Sequence, residues 1–244
     1  DMPQFRQWSE DLIFVFNPLR TPEEDARQKA AFAGLDSYFA QAIAARRQTP
    51  ADDLLSAIVQ GEADGGGTLI DIEISTLLLL LLLAGNLTTA DVMGNGLQAL
   101  LEHPEEWAAL KADPDLAALA AEEFLRFGPP VAIAARYVPE DREILGCPVK
   151  HGAAIVLSLI GANRDPETFD NPHAFRIRRG RRDHVAFGGG VHACPGAPLA
   201  RLELEITLNL LARTCPGMRL TAPVIRNRPT LGFVGLSRLR LSLG

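Results

Sequence analysis

The chain has 244 residues, 47% of them hydrophobic, so it can bury a sizeable core in one large domain or two small ones. Its formal net charge of −6 and pI of about 5.4 predict no general attraction to nucleic acid or to an anionic membrane. Three cysteines without the spacing of a disulfide framework or a zinc site favour a reducing, cytoplasmic setting. We expect no signal peptide at the start, which reads Asp-Met-Pro.

The first 130 residues carry a helical pattern. The clearest helix start lies at Thr21 to Glu24, where a threonine cap is followed by proline and two acids. Glycine and proline mark the helix ends, and three glycines at 65–67 indicate a flexible turn. We predict helices over about 5–16, 21–47, 51–60, 71–101, from 104 onward, and 115–127.

The predicted helix over 71–101 is the most apolar segment. Its seven consecutive leucines, Leu77 to Leu83, make it apolar nearly all round, which predicts a position in the middle of the fold. Even with Ala84 and Gly85 the leucine run is shorter than the ~20 residues that crossing a bilayer requires. We therefore expect a core helix and no membrane span.

From residue 131 the pattern changes to short β-prone runs separated by turn signals. We predict strands over 133–138, 144–145 and 155–159, an irregular segment over 161–190, a helix over 198–213 and short strands in the tail. An irregular segment of that length is uncommon in a compact domain and usually has a function. Because neither repeats nor a low-complexity linker interrupt the sequence, we predict one domain over 1–244, mainly α with small β-sheets.

The most informative segment runs from Phe187 to Arg201 and reads FGGGVHACPGAPLAR. Its glycines allow positive backbone φ and close approach to a flat ligand. Cys194 directly precedes the predicted helix, where the helix dipole and free N–H groups favour a thiolate. A thiolate is an axial ligand that donates electron density to haem iron. We therefore predict a haem-thiolate site, because a buried structural cysteine, our interpretation of Cys147 and Cys215, would not explain the surrounding pattern.

This segment resembles the haem-binding signature of the cytochrome P450 family, Phe-Gly-x-Gly-x-(Arg/His)-x-Cys-x-Gly. The resemblance implies that haem b is bound with Cys194 on the iron, and that Phe187 covers the thiolate side. It places His192 at a haem propionate and Gly196 at the last position of the motif. In similar proteins an arginine at the position of Arg136 binds a propionate, and an edge-strand charge is the alternative.

Glu123 and Arg126 match the family's Glu-x-x-Arg motif. Their spacing places them on one helix face, where they can pair, and a solvated ion pair is the alternative. In the family this pair is buried and holds the meander that leads to the haem loop. Many members complete a triad with an arginine where this chain has Ala174, so we expect Arg176 or Arg178 to take its place.

The sequence AGNLTT at 84–89 places polar and flexible residues inside the leucine-rich helix, where they are locally unfavourable. It resembles the family's Ala-Gly-x-(Asp/Glu)-Thr, which implies an oxygen-binding groove. Thr88 would hydrogen-bond at the oxygen site and help to deliver protons, beside Ala84, Gly85 and Asn86. The alternative is a helix kink or close helix packing at Gly85.

Five arginines lie between residues 176 and 182, at Arg176, Arg178, Arg179, Arg181 and Arg182. On an acidic chain this local reversal of charge suits the docking of an acidic electron donor. The alternative is an ordinary solvated loop.

The resemblance covers the whole chain but only the C-terminal part of a cytochrome P450 fold, so an N-terminal portion is expected to be missing. It implies a monooxygenase that hydroxylates a small apolar organic substrate, with electrons from a ferredoxin or flavodoxin type donor and its reductase. We predict a substrate pocket lined by Leu80, Ala84, Ile133 and Phe233.

The alternative is a truncated haem-binding protein, such as a sensor, a carrier or a subunit, without monooxygenase activity. The partial coverage favours it, and so does Leu87, since leucine cannot relay a proton and the family usually has an acid there. Asn86 or a chain of waters would have to compensate. A purely structural helical protein would leave the Cys194 loop unexplained.

Overall fold

The computed structural model describes residues 2–17, 19–63, 67–226 and 232–244, and most of the turn predicted at 65–67 lies outside these ranges. The described residues form two compact units, one before Thr88 and the other from Thr88 onward. A single haem-binding domain over 1–244 stays a prediction.

The first unit is helical. Its core joins Leu12, Leu35, Phe39 and Ile74. Helix α2 begins with a capping box, because Thr21 accepts from the Glu24 amide at 3.2 Å while the Glu24 carboxylate accepts from the Thr21 amide at 2.7 Å. The elements are α1 (Met2–Leu12), α2 (Pro22–Gln48), α3 (Leu54–Gln60), β1 (Glu62–Ala63), β2 (Gly67–Thr68) and the first half of α4 (Asp71–Glu102).

The second unit contains the other half of α4 and the remaining elements. Its core is formed where α6 packs on α8, around Leu100, Phe124 and Leu204. The strands form separate antiparallel pairs, β3 with β6, β4 with β5 and β7 with β8. The elements are α5 (Pro104–Ala112), α6 (Ala117–Phe127), β3 (Ile133–Tyr137), β4 (Arg142–Ile144), β5 (Cys147–Val149), β6 (Ala154–Ser158), α7 (Leu159–Ala162), α8 (Ala197–Thr214), β7 (Arg219–Leu220) and β8 (Leu241–Ser242).

The predicted fold class, mainly α with small β-sheets, is confirmed. Helix starts differ where capping was overlooked: α3 begins at Leu54 because Asp53 accepts from the Ser56 amide at 2.8 Å. Helix α6 begins at Ala117 because a 3₁₀ turn over Pro114–Leu116 precedes it. Leu145, predicted in a strand, lies in the turn between β4 and β5 with φ of 52°.

The expectation that α4 lies buried in the middle of the fold is wrong for its leucine-rich half. Only 11% of its most apolar 18-residue window is buried, and Leu80 is 58% exposed. Leu79 and Leu82 pack on the core of the first unit, whereas Leu80 and Leu81 are exposed, so only part of the helix surface there is covered. Further along, Val92 and Leu100 are buried in the second unit.

Helix α4 is also, among the described residues, the one helix long and apolar enough to cross a membrane. Length and composition do not establish a span, because core helices of soluble proteins meet the same two criteria. The absence of a membrane span therefore stays a prediction.

The interpretation of Cys147 as a buried cysteine is wrong. Its side chain is exposed, because the two-stranded β4–β5 hairpin leaves most of its residues in solvent. Cys215 is half-buried at the end of α8 and packs against the core.

Candidate functional site

The loop before α8 presents Cys194 to solvent. Gly188 and Gly190 have φ of 66° and 65°, the left-handed region in which glycine is favoured. The loop then turns back on itself, so that the Cys194 amide donates to the Phe187 carbonyl at 2.9 Å, and the Cys194 carbonyl accepts from the Ala197 amide at 3.3 Å. The thiol is exposed beside the first turn of α8.

The glycine face next to this thiol is open. A Cβ atom built on Gly189 or Gly190 would meet no described atom within 4 Å, and Val191 is 97% exposed. An exposed sulfur donor beside an open glycine surface fits a flat metal-bearing ligand such as haem.

The two predicted propionate partners are both exposed and both in the second unit. His192 ends the short 3₁₀ turn Gly190–His192, two residues before Cys194. Arg136 lies on β3, where its Nη1 donates to the Ala135 carbonyl at 2.8 Å. Their role at a propionate stays a prediction.

Glu123 and Arg126 form a buried ion pair instead of a solvated one. Their side chains are 1% and 0% exposed, and Arg126 donates from Nη2 to Oε1 at 2.7 Å and from Nε to Oε2 at 2.8 Å. Arg126 also donates to three backbone carbonyls of the irregular segment, those of Asn163, Pro172 and Ala174. One guanidinium thus fastens that segment to α6.

The third member of this cluster is Arg179, not Arg176 or Arg178 as predicted. The Arg179 Nε lies 3.2 Å from Glu123 Oε2, and its side chain is 7% exposed. A 3₁₀ turn over Ile177–Arg179 directs Arg179 inward, where it also donates to the Ala174 carbonyl at 3.0 Å. Arg176 contributes its backbone amide to Glu123 at 2.9 Å, while its side chain lies 3.7 Å from Asp170.

Sequence reasoning missed a second buried carboxylate, Glu122. It receives His184 Nε2 at 2.9 Å, Arg201 Nε at 2.7 Å and Arg182 Nε at 3.3 Å. Burial by itself would raise the pKa of Glu122, but the hydrogen bonds from His184 and Arg201 outweigh it, so the pKa is lowered. No local sequence pattern indicates this cluster, because His184 and Arg201 lie 62 and 79 residues from Glu122.

The predicted oxygen groove lies in the unbroken α-helical part of α4. Gly85 is not closely packed against the described residues, since a Cβ there would meet none of their atoms within 4 Å. Ala84 and Asn86 are exposed and Thr88 is half-buried. Ala84 to Leu87 belong to the first unit and Thr88 to the second, as does Cys194, so a groove that joins them stays a prediction.

Four of the five clustered arginines lie near a carboxylate, although Glu123 also pairs with Arg126 and Glu122 also pairs with Arg201. Arg179 is buried on Glu123, and Arg182 reaches Glu122. Arg181 pairs with Asp183, and Arg176 lies near Asp170. Carboxylates of the chain itself therefore accompany four of the five predicted docking charges.

A profile of the cytochrome P450 family matches residues 3–216. The chain belongs to the cytochrome P450 family. The cytochrome P450 monooxygenase PikC of Streptomyces venezuelae is 38% identical over 221 residues, 90% of this chain and 51% of its own length. A biotin biosynthesis cytochrome P450 of Bacillus subtilis is 34% identical over 239 residues, 98% of this chain and 60% of its own length.

Solved cytochrome P450 structures have the same fold. P450BioI, crystallised with an acyl carrier protein that bears hexadec-9Z-enoic acid, superposes with a TM-score of 0.93 at 34% identity, over 99% of this chain and 62% of its own. The Bacillus subtilis bacillaene P450 PksS gives a TM-score of 0.91 at 35% identity, over 100% of this chain and 62% of its own. Members of the family bind haem b. This cytochrome P450 chain spans about half to three fifths of the length of these relatives.

Proposed function

We propose that this chain is the haem-bearing part of a cytochrome P450 monooxygenase that hydroxylates an apolar organic substrate. The observation that carries the proposal is the exposed Cys194 thiol, held beside α8 on an open glycine loop. The names of two relatives, the monooxygenase PikC and 6-deoxyerythronolide B hydroxylase, support this class of reaction.

Bound haem would supply the activation of dioxygen, and Cys194 would hold its iron through a sulfur that donates electron density. The Phe187 carbonyl accepts from the Cys194 amide, which fixes the backbone from which that sulfur would reach the iron. His192 and Arg136 carry the donors suited to the two propionates.

On the oxygen side, Thr88 is the group that would hold a proton on its Oγ1. Leu87 cannot relay one, so the neighbouring amide of Asn86 or a chain of waters would have to do so. We expect slower proton delivery than a carboxylate at position 87 would give.

The partners follow from the same proposal. Electrons would come from NAD(P)H through a separate ferredoxin or flavodoxin and its reductase, docked near the arginines at 176–182. The substrate would be a small apolar molecule. The setting would be cytoplasmic, without nucleic acid or membrane.

The second candidate is a haem-binding chain without monooxygenase activity. Leu87 favours it, because leucine cannot relay a proton. The two candidates share the haem site and differ only in turnover.

The first experiment tests the haem site. The purified chain is reconstituted with haem, and the reduced carbon-monoxide spectrum is compared for wild type, Cys194→Ser and Cys147→Ser. We expect the thiolate Soret band in wild type and in Cys147→Ser, and its loss in Cys194→Ser, because serine offers no thiolate. An unchanged band in Cys194→Ser would overturn the proposal.

The second experiment tests turnover. Oxidation of a panel of apolar substrates is followed with surrogate ferredoxin, reductase and NAD(P)H, and separately with hydrogen peroxide. Product from either route supports the monooxygenase. A thiolate spectrum without product from both routes supports the haem-binding alternative.

A further inference from the structure

The buried carboxylate of Glu122 has no role in the function proposed above. Glu122 lies on α6, is 2% exposed, and receives side chains from both flanks of the Cys194 loop. His184 comes from the chain before the loop and Arg201 from α8 after it. One rigid helix therefore fixes the two ends of the segment that carries the thiol.

The His184 contact has a defined direction. The Ala186 amide donates to His184 Nδ1 at 3.3 Å, so Nδ1 is the acceptor of that contact. Nε2 is then the ring nitrogen that donates to Glu122 Oε2, at 2.9 Å. With its side chain 0% exposed, His184 joins Glu122 to the backbone at the start of the loop.

The Arg201 contact continues to the thiol-bearing residue. Arg201 donates from Nε and Nη2 to the two oxygens of Glu122, at 2.7 and 3.3 Å. Its guanidinium carbon lies 4.7 Å from the centroid of the Phe187 ring, a cation–π distance. The Phe187 carbonyl accepts from the Cys194 amide at 2.9 Å, which completes a chain of contacts from Glu122 to Cys194.

The two adjacent carboxylates of α6 bind different parts of the chain. Glu123 is bonded to Arg126 and Arg179, which hold the irregular segment before the loop. Glu122 is bonded to the two flanks of the Cys194 loop, through His184 and Arg201. Loss of the Glu122 contacts should therefore loosen the loop while the Glu123 cluster stays intact.

We infer that Glu122, through His184 and Arg201, is a positioning residue that sets the place of the Cys194 sulfur. The inference rests on the proposed haem-thiolate function for its consequence at the iron, but not for the contacts themselves. Its signature is a loosened loop and a weakened thiolate bond in a chain that is otherwise folded.

The test uses Arg201→Ala, because Arg201 is 31% exposed and its removal should leave a folded chain. Arg182→Ala is the matched control, since Arg182 contacts the same carboxylate with a side chain that is 73% exposed. Arg201→Lys keeps a positive charge beside Glu122 but loses the planar guanidinium that lies over the Phe187 ring. Urea unfolding of each variant first establishes that it is folded.

In the haem-free chain, hydrogen exchange at the Cys194 amide is measured. We expect it to be about tenfold faster in Arg201→Ala, intermediate in Arg201→Lys and unchanged in Arg182→Ala. Equal exchange in wild type and Arg201→Ala would overturn the inference, and so would an equal acceleration in Arg182→Ala.

In the haem-loaded chain, the share of the thiolate form in the reduced carbon-monoxide spectrum is measured. We expect it to fall in Arg201→Ala and to stay constant in Arg182→Ala; a constant share in both would overturn the role at the iron. If wild type shows no thiolate form, the proposed function fails, while the exchange measurement still decides whether Glu122 holds the loop.

Discussion

Two neighbouring residues of α6, Glu122 and Glu123, are each 2% exposed. Glu123 is paired with Arg126, and Glu122 is hydrogen-bonded to His184. An isolated buried carboxylate costs several kcal/mol of desolvation, so its partners are needed to offset that cost. Removal of a buried partner weakens that compensation, which is more damaging than loss of a surface pair. Substitution of a buried partner of either carboxylate should therefore have a larger effect than substitution of an exposed one.

The first prediction concerns the third member of the Glu123 cluster. Arg179→Ala should lower the free energy of unfolding by about 2 kcal/mol, because it removes buried charge-assisted hydrogen bonds to Glu123 and to the Ala174 carbonyl, while Arg126 still pairs with Glu123. Arg178→Ala, one residue away and exposed, should change it by less than about 0.5 kcal/mol. Urea unfolding of both variants measures the difference, and equal losses would show that the buried contacts of Arg179 do not stabilise the fold.

The second prediction concerns pH. The pKa of Glu122 is lowered below its ordinary value of 4.5, so its ionised form stabilises the fold above about pH 4.5, and this contribution is lost as the pH falls through the folded pKa. Glu122→Gln should therefore be less stable than wild type near pH 7, and the gap should narrow near pH 4. Urea unfolding at both pH values measures it; a gap that widens on acidification would contradict the assigned direction.

At the scale of elements, the second half of α4 packs on α6 through a glycine. A Cβ built on Gly96 would lie 1.8 Å from Cδ2 of Phe124, a fully buried side chain. This contact brings the two helix backbones close together where α6 also carries Glu122 and Glu123. A larger residue at 96 would push apart the helices that support both carboxylates.

The third prediction uses two glycines of the same helix. Gly96→Ala should destabilise the chain by about 3 kcal/mol through overpacking against Phe124. Gly85→Ala meets open space and should stabilise α4 by up to about 1 kcal/mol, because alanine has the higher helix propensity. Thermal unfolding of the two variants compares them, and a tolerated Gly96→Ala would mean that α4 and α6 are not so closely packed.

How far the sequence predicted these elements depends on how local the controlling interaction is. Helix starts such as Thr21, and the i,i+3 spacing of Glu123 and Arg126, could be read directly, since both depend on residues within one turn. Arg179 could not, because the shape of a 3₁₀ turn decides which arginine points inward. Burial of α4 was overestimated because the apolar pattern of a helix shows which of its faces are apolar but not which residues cover them.

At the scale of the whole molecule, these 244 residues leave an apolar stripe exposed on α8. Leu199, Leu202, Ile206 and Leu210 share one helix face and are 52–60% exposed, while Leu204 and Leu208 on another face are buried. Contiguous exposed apolar residues favour association with another apolar surface. The stripe lies on the helix that follows Cys194, so association through it would also affect the haem experiments.

The fourth prediction is that the isolated 244-residue polypeptide self-associates through this stripe. Leu202→Lys combined with Ile206→Lys should shift the mass measured by light scattering toward that of the monomer, because two charges on the stripe oppose its burial. Leu145→Lys combined with Leu19→Lys, at side chains that are 100% and 84% exposed, adds the same two charges elsewhere and should leave the mass unchanged. If this control disperses the chain equally well, the stripe is not the surface that controls association, and a wild-type chain that is monomeric throughout would contradict the prediction outright.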